Sequence, residues 1–135
     1  MQNSGLYNLV NWLDKVYNEL ILRYADKENK FLFVRTEYRI EKIDLSKILY
    51  IQGMKDYLQI VSENKKIMTL QSFKNMLEFL PKKDFVRVHN SYIISIDKIV
   101  SIERNRIKIG EKLIPITDSY KEGFFRLLTD KKYLI

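Results

Sequence analysis

Cysteine is absent from the 135 residues, and there is a single histidine. Without thiols the chain has no disulfide framework, no thiolate nucleophile and no cysteine-held zinc, which suits a reducing compartment such as the cytoplasm. One histidine excludes a metal site built on two imidazoles. Only four glycines occur, and they are too scattered for a phosphate loop or a dinucleotide fingerprint. We therefore predict a protein that is not an enzyme and that holds no cofactor and no metal.

Long hydrophobic runs are also missing. The longest contain four residues, at 31–34 and 48–51, so the sequence predicts neither a bilayer-spanning helix nor a signal peptide. Hydrophobic residues still make up 46% of the chain, which is enough to fill one core. The length is that of one domain with a few residues to spare.

Acidic residues are too few to balance the basic ones. There are 17 against 24, and the formal net charge is +7. Residues 1–67 hold 11 basic and 9 acidic residues, a net of +2, whereas residues 68–135 hold 13 and 8, a net of +5. The more basic half points to an anionic partner. Solubility is the alternative explanation, because a moderate net charge is common in small domains.

The N-terminal stretch has the pattern of a helix. Apolar residues recur at steps of three and four from Leu6 to Tyr24, which predicts a helix over about 6–23, with Ser4 as its N-cap. Such a helix is about 27 Å long, so it either covers the sheet or projects and pairs with another chain. The polar residues 26–30 end it. We expect a helix or linker over 1–28 and the main domain over 29–135.

After residue 30, short runs rich in Ile, Val, Tyr and Phe alternate with short polar connections. This texture is typical of antiparallel hairpins rather than βαβ units. The predicted fold class is mainly β (α+β), with antiparallel sheets, a short internal helix over 72–80 and a short C-terminal helix. Ser72 is the expected cap of the internal helix, Pro81 its end, and Thr117 or Asp118 the cap of the last helix. The predicted strands are 31–36, 38–43, 48–53, 57–63, 66–70, 85–89, 92–96, 99–103, 106–110 and 112–116.

The densest motif is FVRVHNSYIIS at 85–95, in which Asn90 and Ser91 form a bend after a strand. By itself it is a tight turn supported by a histidine and an arginine. The run RVHNSYIIS, however, resembles the signature of the LytTR family of bacterial DNA-binding domains. KILYIQGMKDYLQIVSENKKIMTLQSFKNMLEFL upstream resembles the family's hairpin and short helix, and KIGEKLIPITDSYKEGFFRLL downstream resembles its last hairpin, loop and terminal helix. The resemblance covers about 31–128 in collinear order.

This resemblance implies antiparallel sheets whose loops, and not a recognition helix, contact double-stranded DNA in the major groove to regulate transcription. The family's contact positions fall on three loops, around Lys55, around Asn90 and around residues 118–121. Lysine and arginine there can neutralise phosphates, and an asparagine amide can pair with adenine. The candidate DNA-binding residues are Lys55, Tyr57, Arg87, Asn90, Ser91, Asp118, Ser119 and Lys121, with His89 and Tyr120 as structural support.

Asp118 departs from the family pattern, which commonly has a basic residue at this place. A carboxylate beside DNA phosphates is repulsive unless it accepts a hydrogen bond from a cytosine amine or caps the helix.

Most LytTR domains follow a receiver domain. The resemblance therefore implies the cytoplasmic output domain of a two-component response regulator, with the receiver in the intact protein. Such a domain would bind promoter direct repeats as a homodimer. A stand-alone regulator is the alternative. Two other classes stay open: a protein-interaction or dimerisation module acting through the N-terminal helix, and single-stranded nucleic-acid binding through exposed tyrosines.

Overall fold

The computed structural model of the chain describes residues 4–27 and 30–135. Strands and short connections dominate from residue 31 onward, as the sequence predicts. The elements are α1 (Ser4–Lys27), β1 (Phe31–Arg35), β2 (Ile40–Asp44), β3 (Ile48–Met54), β4 (Tyr57–Ser62), β5 (Lys66–Leu70), α2 (Phe73–Phe79), β6 (Phe85–His89), β7 (Tyr92–Ser95), β8 (Ser101–Glu103), β9 (Arg106–Ile109), β10 (Lys112–Pro115) and α3 (Asp118–Asp130).

Within residues 4–27 and 30–135, ten strands form three antiparallel sheets, which confirms the predicted fold class. The central sheet has five strands in the order β5-β4-β3-β7-β6, while β1 and β2 form a hairpin and β10-β9-β8 form a three-stranded sheet. Every pairing but one joins strands that are neighbours along the chain. The exception is β3 with β7, in which Tyr50 lies opposite Ile94. That long-range pairing joins the two halves of the domain.

Both faces of the central sheet are buried. Ile93 and Ile94 are adjacent in β7 and both fully buried, because successive side chains of a strand point to opposite faces. On the face of Ile93, the core includes residues of β1, β2 and α2, such as Met76. On the face of Ile94, it includes residues of β9, β10 and α3, such as Phe124. The domain thus has three layers, with α2 and α3 on opposite sides of one sheet.

Short turns explain where strands begin later than predicted. Thr36 and Arg39 close a turn through the Thr36 N–H and the Arg39 carbonyl at 2.8 Å, so β2 begins at Ile40 and not at residue 38. A 3₁₀ turn over Ile96–Lys98 delays β8 to Ser101. A second 3₁₀ turn, Leu45–Lys47, is capped by Asp44, and hydrogen bonds from Ser46 lower the pKa of that carboxyl.

Both helix caps lie at positions that the sequence predicts, but only one of them makes a capping hydrogen bond. Ser72 caps α2 by accepting from the Asn75 N–H at 3.1 Å, as predicted. Thr117, and not Asp118, holds the N-cap position of α3, but its hydroxyl makes no capping bond. Its Oγ1 is buried and has no hydrogen-bond partner among the described residues.

The first helix is described over Ser4–Lys27, so Ser4 is itself helical and is not the cap before the helix. Where its side chains are described, all are exposed except that of Val16, which is half-buried. The apolar stripe is therefore not buried against the sheet. The predicted boundary at 28/29 lies outside the described residues. None of the described helices is long and apolar enough to cross a membrane.

Candidate nucleic-acid interface

Two side chains form hydrogen bonds to the main chain of the turn between β6 and β7. The Arg87 guanidinium donates to the Asn90 carbonyl at 2.7 Å and to the His89 carbonyl at 3.3 Å. His89 Nδ1 accepts from the Ser91 N–H at 3.0 Å. Because the main chain of this turn is fixed on both sides, the exposed Asn90 side chain is presented in a defined position.

Arg87 also joins the two helices that cover opposite faces of the sheet. Its guanidinium carbon lies 4.6 Å from the ring centroid of Phe73 in α2 and 5.5 Å from that of Tyr120 in α3. A guanidinium between two aromatic faces gains cation–π attraction while it keeps its donors for the turn. The geometry gives Arg87 the contacts of a positioning residue.

The loop before α3 reaches the same turn. The Tyr120 hydroxyl donates to Asn90 Oδ1 at 3.3 Å, and the Thr117 N–H donates to the Val88 carbonyl at 3.0 Å. The first bond orients the Asn90 amide so that its oxygen faces Tyr120 and its nitrogen faces elsewhere. An amide held in this way can donate to a base edge or a phosphate.

The hairpin between β3 and β4 reaches the turn from its other side. The Gly53 N–H donates to the Ser91 carbonyl at 2.9 Å. A Cβ on Gly53 would lie 2.7 Å from Cε2 of Phe73, which is closer than real contacts allow, so any other residue here would require the Phe73 ring to move. Two residues further on, the exposed Lys55 forms the tip of the hairpin with a φ of 58°.

The remaining predicted residues lie around this cluster. Ser119, Lys121 and Asp118 are exposed in the first turn of α3, where a carboxylate interacts favourably with the helix dipole. Tyr57 is 44% exposed. It lines a cleft of about 650 Å³ together with the β1–β2 turn and β5.

Two basic residues next to the cluster were not singled out from the sequence. The Asn105 carbonyl accepts from the Ile116 N–H at 2.8 Å, which places the β8–β9 turn, with the exposed Arg104, beside the loop before α3. Lys112 Nζ lies 5.6 Å from the ring centroid of Tyr92, the residue that follows the Asn90–Ser91 turn. Their positive charge was visible in the sequence, but their closeness to the turn depends on strand pairing.

Metal binding finds no support in the described part of the chain. Across residues 4–27 and 30–135, no three or more His, Asp or Glu side chains are grouped so that they could hold a metal ion.

Comparison with known proteins adds independent findings. A family model described as the LytTr DNA-binding domain matches residues 38–129. Among solved structures, one similar chain is described as the LytTr DNA-binding domain of a methyl-accepting/DNA response regulator from Bacillus cereus. It has 21% sequence identity and a TM-score of 0.66, over 74% of this chain and 97% of that one. None of the curated proteins matches this sequence.

Proposed function

Since this chain belongs to the LytTR family of DNA-binding domains, we propose that it binds specific double-stranded DNA sequences through its loops and regulates transcription. The observation that carries this proposal is the convergence of three chain segments on Asn90 and Ser91. Gly53 brings the β3–β4 hairpin, Arg87 fixes the turn itself, and Tyr120 brings the start of α3.

The proposal gives the residues different roles. Asn90 contacts a base edge in the major groove, and Lys55 and Lys121 neutralise phosphates on either side of it. Ser91, Ser119 and Tyr57 contact the DNA backbone, and Asp118 accepts from a cytosine amine. Arg87, His89 and Tyr120 position the turn, with the charge of Arg87 adding to the attraction for phosphates.

The wider setting is also part of the proposal. The structural neighbour is described as part of a response regulator. We place residues 29–135 as the DNA-binding body of a bacterial two-component response regulator in the cytoplasm. Its receiver domain lies in the intact protein, and two copies bind direct repeats in a promoter.

Selection of bound duplexes from a random pool tests sequence-specific binding directly. The expected result is one enriched motif, followed by titration in which that duplex binds at least about 10³-fold tighter than random duplex. Single-stranded DNA of the same sequence serves as the competitor. No enrichment, or stronger binding to the single strand, would overturn the proposal.

Replacing Asn90 tests its role in base reading. Asn90→Ala is expected to cost about 1–3 kcal/mol on the selected site, because a paired amide contact to adenine is lost. The affinity for random duplex should change little, since phosphate contacts remain. Fluorescence anisotropy on both duplexes measures the two values.

Asn64→Ala is a matched control, because Asn64 lies in the β4–β5 turn at the opposite end of β4. It should leave both affinities unchanged. An equal loss on specific and random DNA for Asn90→Ala would contradict base reading by this residue.

A further inference from the structure

The apolar stripe of α1 runs along one side of the helix and is exposed to solvent. Leu9, Val10, Leu13, Tyr17 and Leu20 are each between 51% and 62% exposed. At 100° per residue, these positions and Leu6 and Val16 all lie within about 60° of the direction of Leu13. The stripe is therefore about as wide as the face that a packed helix buries.

The order of apolar residues along the stripe is the same in both directions. Counted from Leu13, apolar residues stand three, four and seven positions away on each side; they are Leu6, Leu9, Val10, Val16, Tyr17 and Leu20. A second α1 running the opposite way, with its Leu13 against this Leu13, therefore meets an apolar residue at every level. Self-complementary patches of this kind are what a two-fold contact requires.

The charge of α1 allows this pairing. The helix has three acidic and three basic residues, and they are Asp14, Lys15, Glu19, Arg23, Asp26 and Lys27. Its net charge is therefore zero, and the whole surplus of +7 lies in residues outside it. A neutral helix needs no oppositely charged partner, and two copies do not repel each other through it.

The area of the stripe suits a reversible contact. Half-exposed side chains of this size each leave on the order of 100 Å² in solvent. Six of them, the stripe without the half-buried Val16, on each of two copies bring the contact to roughly 1,200 Å², the lower end of stable interfaces. The contact should therefore form and dissociate within a concentration range that solution methods reach.

We propose that α1 pairs antiparallel with α1 of a second copy of this chain, with the two-fold axis at Leu13. The pairing involves no residue of the DNA-binding turn. It therefore goes beyond the proposed function, and its failure would leave DNA binding untouched.

Sedimentation of the 135-residue chain without DNA tests the association. The expected result is a monomer–dimer equilibrium that shifts at least tenfold toward monomer in Leu13→Glu. Asn11→Glu is the matched control, since Asn11 faces the opposite side of the helix and should leave the equilibrium unchanged. A monomer at all concentrations, or an equal response of both variants, would overturn the proposal.

Disulfide trapping tests the direction, and it is clean because the chain has no cysteine of its own. Leu13→Cys should oxidise to a covalent dimer. Leu20→Cys alone should stay monomeric, because in the antiparallel pair residue 20 lies opposite residue 6. A Leu20→Cys dimer that forms as readily as the Leu13→Cys dimer would show parallel helices and contradict the proposal.

Discussion

At the scale of a residue, Gly53 is a position where replacing one hydrogen atom by a methyl group should lower the stability of the fold. Gly53→Ala places a methyl group 2.7 Å from Cε2 of Phe73, and we expect a loss of about 1–3 kcal/mol in the free energy of unfolding because the ring has to move. Urea denaturation measures it. Gly123→Ala is the control. A Cβ at this position would meet no atom within 4 Å beyond its chain neighbours and the backbone of α3 itself. Because residue 123 lies inside α3, Gly123→Ala should raise the free energy of unfolding by about 0.5–1 kcal/mol. Equal stability of Gly53→Ala and the unchanged protein would contradict the contact.

Tyr120 tests whether the Asn90 amide needs its partner. Tyr120→Phe removes only the hydroxyl that donates to Asn90 Oδ1. The free energy of unfolding should therefore change by no more than about 1.5 kcal/mol. We expect weaker binding to the selected duplex and unchanged binding to random duplex. Tyr133→Phe, at an exposed site beyond α3, is the matched control. If both variants bind the selected duplex equally well, the bond does not position Asn90.

Candidate residues differ in how visible they are in the sequence. Asn90 and His89 stand within one short motif, so the sequence alone points to the turn. Gly53 becomes part of the site only through its hydrogen bond to Ser91, and Phe73 of α2 only through its contact with Arg87. No local pattern carries that information, because the pairing of β3 with β7 creates it.

The sequence predicts the secondary-structure elements better than it predicts any other level of the structure. Alternation and helical spacing are local properties, so all ten strands and three helices appear close to their predicted places. The strand ends differ from the predicted ones where polar or mixed residues form turns, at 36–39 and Ile96–Lys98. The order of strands in the sheets did not follow from the residues themselves. The β3–β7 pairing is set by the two cores and not by a local signal.

Helix α2 is short, so its cap should matter. Ser72→Ala removes the hydroxyl that accepts from the Asn75 N–H, and we expect a loss of about 1 kcal/mol in unfolding free energy. Ser72→Asp keeps an acceptor at the cap and should restore most of it. Thermal denaturation of the three proteins makes the comparison, and a loss of the same size in Ser72→Asp would show that the capping bond is not the cause.

For the molecule as a whole, the positive net charge predicts that the affinity for DNA depends on the salt concentration. If Lys55 and Lys121 each neutralise a phosphate, the logarithm of the affinity should fall by about 0.9 per contact with the logarithm of the salt concentration. Lys121→Ala should therefore reduce the slope by about 0.9, on specific and random duplex alike. Lys65→Ala, in the β4–β5 turn away from the proposed interface, should leave the slope unchanged. A slope that is insensitive to Lys121 would remove it from the interface.

The pairing of β3 with β7 also has a consequence during synthesis on the ribosome. β4 can pair with β3, and β5 with β4, as soon as they emerge, but the other edge of β3 stays open until β7 has left the exit tunnel. Non-local strand pairing is slow, and open strand edges invite association with other chains. The nascent chain is therefore most exposed to aggregation before residue 95 emerges. The turn that carries Asn90 takes shape in the same step that closes this edge.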